Sequence, residues 1–256
     1  MKHTPIIYFF LSLLLLFNSC NGQVSSDTSK VTPDYGAILQ DLTGHKTYFG
    51  LDEALKEPDK VQWISLMSAG IDTVPKELLK FPNLRGLDLS YNNFTTLPSW
   101  IGQLKTLHEI DLRKNKITSL PKEFFNLTNL ENIDLWGNEL TEIPMEIGNL
   151  THLKELNISA NNLDKLPSTF VALDSLTFLL IELNQFKEIP AVVCQMKNLK
   201  RLHLYQNDIS DISKEIKNLT SLQELILDNN RLSTQKIQFL KELLPDCKIY
   251  TDSQKY

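Results

Sequence analysis

Cysteine is almost missing from this chain: Cys20, Cys194 and Cys247 are the three in 256 residues. They are too few and too scattered for a disulfide framework or for the short paired spacings of a structural zinc site. Glycine is also scarce, at nine residues, and forms no phosphate-cradling loop. Neither GxSxG nor HExxH occurs, and the five histidines are dispersed, so no catalytic arrangement, cofactor or metal site is expected. Basic residues number 26 against 31 acidic ones, without a basic block, which makes nucleic acid a poor partner. No apolar run approaches the roughly 20 residues of a bilayer-spanning helix. The run from Ile6 to Phe17 ends at Asn18.

The first twenty residues carry a targeting pattern instead. Lys2 and His3 give a short basic start, and Ile6 to Phe17 have the length of a signal-peptide core. The stretch Leu16-Phe17-Asn18-Ser19-Cys20 resembles a bacterial lipobox. That resemblance implies a signal peptide over 1–19, cleavage before Cys20, and diacylglycerol on its thiol with an acylated amine. Several acyl chains hold a protein to a membrane where one does not. The expected location is then the bacterial cell envelope, on the outer membrane of a Gram-negative cell. Without the resemblance, the same segment reads as an ordinary secretory signal with an incidental cysteine. Residues 20–45 read as a lipidated N-terminus and flexible tether, poor in apolar side chains, reaching about 25 to 30 Å.

Leucine is what the chain has in excess, 45 residues of 256, and it recurs. Copies of a 23-residue unit start at Val61, Leu84, Leu107, Leu130, Leu153, Leu176 and Leu199, with an incomplete eighth at Leu222. One column holds Asn92, Asn115, Asn138, Asn161, Asn184, Asn207 and Asn230; another pairs an aliphatic residue with proline, from Val74-Pro75 to Ile189-Pro190. The pattern LxxLxLxxNxLxxLPxxhxxLxx resembles that of the leucine-rich repeat family over about Val61 to Asn230, and the whole chain is similar to bacterial leucine-rich repeat lipoproteins. The resemblance implies an α/β solenoid with a curved parallel sheet on its concave face, an irregular or short-helical convex side, and a cap at each end.

The residues support the same architecture. In Leu107, Ile110 and Leu112 apolar side chains alternate, as on a strand with one inward face. Eight such strands about 4.8 Å apart span roughly 34 Å. Proline forces the residue before it into extended backbone and sends the chain to the convex side, where residues such as Ile147 and Leu150 are buried. Residues 46–60 form the expected N-terminal cap, with a helix over Leu51 to Glu57 stopped by Pro58. Repeats fill 61–232. Residues 233–256 form the C-terminal cap: Ser233 starts a helix burying Ile237, Leu240 and Leu244, and the following LPDCKI repeats the LxxLxL spacing with Cys247 inward.

Three groups of side chains are candidates for more than packing. The Asn column reads as a structural ladder, because an amide can satisfy buried turn groups on neighbouring rungs. Asp88, Asp111 and Asp134 share one outward slot on consecutive rungs, with Arg113 and Lys114 beside them, and read as a solvated ladder rather than a cation site. The third group departs from the repeat. The strand LTFLLIELN puts Phe178 and Leu180 outside, near Trp136, Glu182, Arg201, His203, Tyr205 and Ile226, and aromatic and arginine-containing exposed patches are typical anchors for partners. The expected function is a non-enzymatic, membrane-anchored, monomeric module binding a protein, peptide or glycan through the concave face. The alternative is a structural adaptor of the envelope, which a covered patch would favour.

Overall fold

The computed structural model describes residues 46–251. The expected signal peptide, Cys20 and the tether lie outside the described residues. Among the described residues ten three-residue strands form one parallel sheet in chain order: β1 Thr47–Phe49, β2 Trp63–Ser65, β3 Gly86–Asp88, β4 Glu109–Asp111, β5 Asn132–Asp134, β6 Glu155–Asn157, β7 Phe178–Leu180, β8 Arg201–His203, β9 Glu224–Ile226 and β10 Lys248–Tyr250. From β2 to β9 each strand pairs with the next at a shift of 23 residues, as in Ile110 against Ile133, so every slot of the repeat becomes a straight column. The central residue of each strand, such as Leu87, Ile110, Ile133 or Leu179, enters the core.

Between strands the chain returns on the convex side through a short 3-10 helix. Five of these are five residues long and follow the prolines of the repeat, for example Lys122–Asn126 after Pro121 and Met145–Asn149 after Pro144. Proline's extended ψ sets the entry, and its carbonyl accepts the first helical N–H, from Phe124 at 2.9 Å and from Ile147 at 3.1 Å. Where Ser213 replaces proline, its Oγ accepts from the Glu215 N–H at 3.4 Å. The helices pack closely: a Cβ on Gly102 would lie 2.1 Å from the carbonyl oxygen of Glu123 on the next rung. The core lies between sheet and helices, and Phe94, Phe124, Phe170 and Phe186 are fully buried in it.

The turn after each strand is held by the asparagine column. Asn138 Nδ2 donates to the carbonyls of Leu112 at 3.0 Å and Leu135 at 2.9 Å, and its Oδ1 accepts from Ile117 N–H at 3.0 Å. One amide thus joins two rungs. The first rung has Ala69 here. The residue preceding the column has positive φ in every repeat, from Ser68 through Tyr91, Lys114, Gly137, Ala160, Leu183 and Gln206 to Asn229. Left-handed backbone costs a non-glycine residue on the order of 1 kcal/mol. The hydrogen-bonded Asn turn offsets that cost.

The ends differ from the sequence reading in three respects. β1 adds a strand before the first repeat, pairing Tyr48 with Ile64. The cap helix is shorter than expected, α1 Leu51–Ala54, and Pro58 opens a 3-10 turn rather than ending a helix. At the other end α2 spans Thr234–Leu243, with Ser233 Oγ accepting from Lys236 N–H at 3.3 Å, and buries Ile237 and Leu240. The strand after it is displaced from the expected register: Ile249, not Cys247, stands against Leu225 and enters the core. α2 adds a residue to the span, so the shift between β9 and β10 is 24 residues and Cys247 remains half-buried before the strand.

Candidate binding site

Strand alternation turns three columns toward the concave side. The first contains Trp63, Gly86, Glu109, Asn132, Glu155, Phe178, Arg201 and Glu224, and the second contains Ser65, Asp88, Asp111, Asp134, Asn157, Leu180, His203, Ile226 and Tyr250. The third, just beyond the strands, runs from Met67 through Ser90, Arg113, Trp136, Ser159, Glu182 and Tyr205 to Asp228.

In the N-terminal half these columns are occupied with internal work. The Trp63 ring lies over Gly86, where a Cβ would be 1.8 Å from it. In five consecutive rungs the second-column residue accepts the main-chain N–H two residues on: Ser65 from Met67 at 3.4 Å, Asp88 from Ser90 at 2.9 Å, Asp111 from Arg113 at 2.9 Å, Asp134 from Trp136 at 2.9 Å and Asn157 from Ser159 at 3.1 Å. These side chains cap their own strand ends.

The carboxylate row is therefore not the solvated ladder expected from sequence. Asp88, Asp111 and Asp134 are buried at 1%, 3% and 5% exposure. Asp88 also accepts from the Ser65 and Ser90 hydroxyls. Arg113 pairs with Asp111 at 3.0 Å and reaches Asp134 at 3.8 Å. Lys114 does not join them; its ammonium sits 4.1 Å over the Trp136 ring. Burial, reinforced by the neighbouring Asp88 and Asp134 carboxylates, pushes Asp111 well above the usual carboxylate range. Burial raises Asp134 to about 6 against the pull of Arg113, and raises Glu109, in the first column, to about 7. Among the described residues no group of three or more His, Cys, Asp or Glu side chains is arranged to hold a metal ion.

The C-terminal half abandons this capping. Leu180, Ile226 and Tyr250 cannot accept an N–H from the following turn, and Glu182 N–H goes instead to Ser159 Oγ at 3.0 Å. Leu180, Tyr205 and Ile226 are half-buried, and Tyr250 is 40% exposed. His203 stands among them between Glu182 Oε1, 3.4 Å from Nδ1, and Glu224 Oε1, 2.8 Å from Nε2. Tyr205 Oη accepts from Asn229 Nδ2 at 2.8 Å. Trp136 lies two rungs away from Glu182 in its column, at the edge of this patch.

Phe178 corrects the expectation of an exposed anchor. It faces the concave side but is only 5% exposed, because the Arg201 guanidinium lies 3.9 Å over its ring and His203 packs edge-on at 4.9 Å. Arg201 is held in turn 3.9 Å from Glu155. Tyr250 is the member that the sequence reading missed. Its signal was the strand register after α2, which a two-residue misalignment concealed.

A concavity of about 770 Å³ lies elsewhere, at the turns leading from the convex helices into β7, β8 and β9, and includes Val171, Met196, Lys197 and Lys217. It groups no buried polar side chains, so the chemistry remains with the concave columns.

Two family profiles match the chain: a leucine-rich repeat region over residues 132–245, and a leucine rich repeat over 59–117 and again over 98–140. Among solved structures, internalin C2 of Listeria monocytogenes is similar with a TM-score of 0.61 and 22% identity, covering 73% of this chain and 77% of its own. A leucine-rich repeat protein of Leptospira interrogans has 20% identity over 80% of this chain and 99% of its own, with a TM-score of 0.36. No curated protein sequence matches the chain.

Proposed function

The chain belongs to the leucine-rich repeat family, and from that premise we propose that it is a non-enzymatic binding module whose partner, a protein or peptide segment, seats on the C-terminal half of the concave sheet. The observation that carries this reading is the change of duty in the second column. From Ser65 to Asn157 that column caps the strand ends, and from Leu180 onward it holds side chains that perform no such service. Four adjacent rungs thereby gain a partly exposed apolar surface that the fold does not need, the usual mark of a contact surface.

The proposal includes a lipid anchor at Cys20, supported by the lipobox resemblance of Leu16 to Cys20. No helix among the described residues is long and apolar enough to cross a membrane. Phe178, being covered, favours the adaptor alternative at that one position. Titration of a captured partner against Leu180→Ser plus Tyr205→Ala tests the reading. Affinity should fall about thirtyfold, the equivalent of ~2 kcal/mol, with the fold intact. An unchanged affinity would remove the concave site.

A further inference from the structure

Resting on the concave reading above, we propose that the partner brings a cationic side chain, Arg or Lys flanked by apolar residues, to the carboxylates around His203. Glu182 and Glu224 approach opposite nitrogens of the same imidazole, at 3.4 and 2.8 Å. The imidazole has at most one N–H to offer each of them, whereas a carboxylate can accept several hydrogen bonds. The shorter contact is with Glu224, so Glu182 keeps open acceptors, and among the described residues its carboxylate meets no other donor. Asp228, in the same column with Tyr205 between, has no side-chain partner among the described residues.

The cations nearby do not answer these acids. Arg201 is committed to Phe178 and Glu155. Lys248, beside Glu224 in register, is exposed and makes no ion pair among the described residues. A partner that covered this surface without a positive charge would strip water from Asp228 and from the open acceptors of Glu182, which is strongly unfavourable. Arg and Lys fit because their aliphatic stems can lie along Leu180, Tyr205 and Ile226 while the charged head reaches Glu182 or Asp228. A neutral glycan offers no such compensation, so the chemistry favours a polypeptide segment.

The test uses the full chain and fluorescent octapeptides in which Lys or Arg alternates with Leu or Tyr, beside matched peptides carrying Glu instead. Binding is read by anisotropy at low and high salt. The cationic peptides should bind the parent at least about tenfold more tightly than the acidic ones, and Glu182→Gln plus Asp228→Asn should abolish that preference. Glu139→Gln plus Glu142→Gln, on exposed positions off the concave sheet, should leave it unchanged. A preference that survives Glu182→Gln plus Asp228→Asn overturns the proposal. Equal binding of both peptide sets, lost in Leu180→Ser plus Ile226→Ser, overturns the charge assignment and leaves the concave site standing. Binding indifferent to both concave pairs overturns both.

Discussion

The guanidinium of Arg201 lies 3.9 Å from the centroid of the Phe178 ring and roofs it on the concave side. Phe178 consequently acts as part of the packing, whereas its neighbours Leu180 and Ile226 remain reachable. Phe178→Ala should destabilise the fold by about 3 kcal/mol, as truncation of a buried aromatic does. Arg201→Ala should lose about 1 kcal/mol with the cation–π contact. Urea denaturation midpoints measure both. A Phe178→Ala midpoint equal to the parent's would mean that the ring is not packed.

Asn138 makes three hydrogen bonds that leucine cannot replace, two to carbonyls and one from an amide, on two different rungs. Asn138→Leu should cost several kcal/mol, at about 1 to 3 kcal/mol for each buried group left unpaired. Asn184 is less buried, and Asn184→Leu should cost less. A thermal melt of the two variants beside the parent checks the order.

The buried acids give the fold an unusual pH response. Glu109 and Asp134 have folded pKa values raised to about 7 and about 6. Between the unfolded and folded values the folded state binds more protons, so stability is greatest below about pH 4 in this contribution and declines as pH rises toward 7. Glu57, lowered to about 2 by Lys46, acts in the opposite direction but below pH 4. The urea midpoint should be higher at pH 5 than at pH 8, and Glu109→Gln should remove on the order of 2 kcal/mol of that difference. A midpoint rising from pH 5 to pH 8 would contradict the burial argument.

The period and the inward face of each strand were legible because they depend on side-chain type at fixed spacing, as in Leu107, Ile110 and Leu112. Features set by neighbours were not. Phe178 was placed on the concave side, but its burial depends on where Arg201 and His203 settle. Asp111 read as solvated because a single sequence does not display Arg113 folding back across it. The left-handed column was hidden since only Gly137 and Asn229 among its residues advertise that conformation. β1 escaped because Thr47-Tyr48-Phe49 lacks the leucines of the repeat and gains its strand from pairing with β2.

Membrane attachment through Cys20 predicts that Cys20→Ala abolishes acylation, since the apolar run before it is too short to span a bilayer. Metabolic labelling with a fatty-acid analogue, followed by membrane fractionation, reads the outcome. Labelling at the parental level in the variant would exclude this anchor.

The concave site is tested most directly by placing a photoreactive residue in living cells at one of three positions: Ile226 on the C-terminal concave sheet, Met67 on the N-terminal half of the concave side, or Met145 on the convex side, which is 61% exposed. One polypeptide should crosslink from position 226 and from neither other position, with the crosslink lost when Leu180→Ser plus Tyr205→Ala is added and the melting temperature held. The same polypeptide crosslinked from position 145 and not from 226 would contradict it.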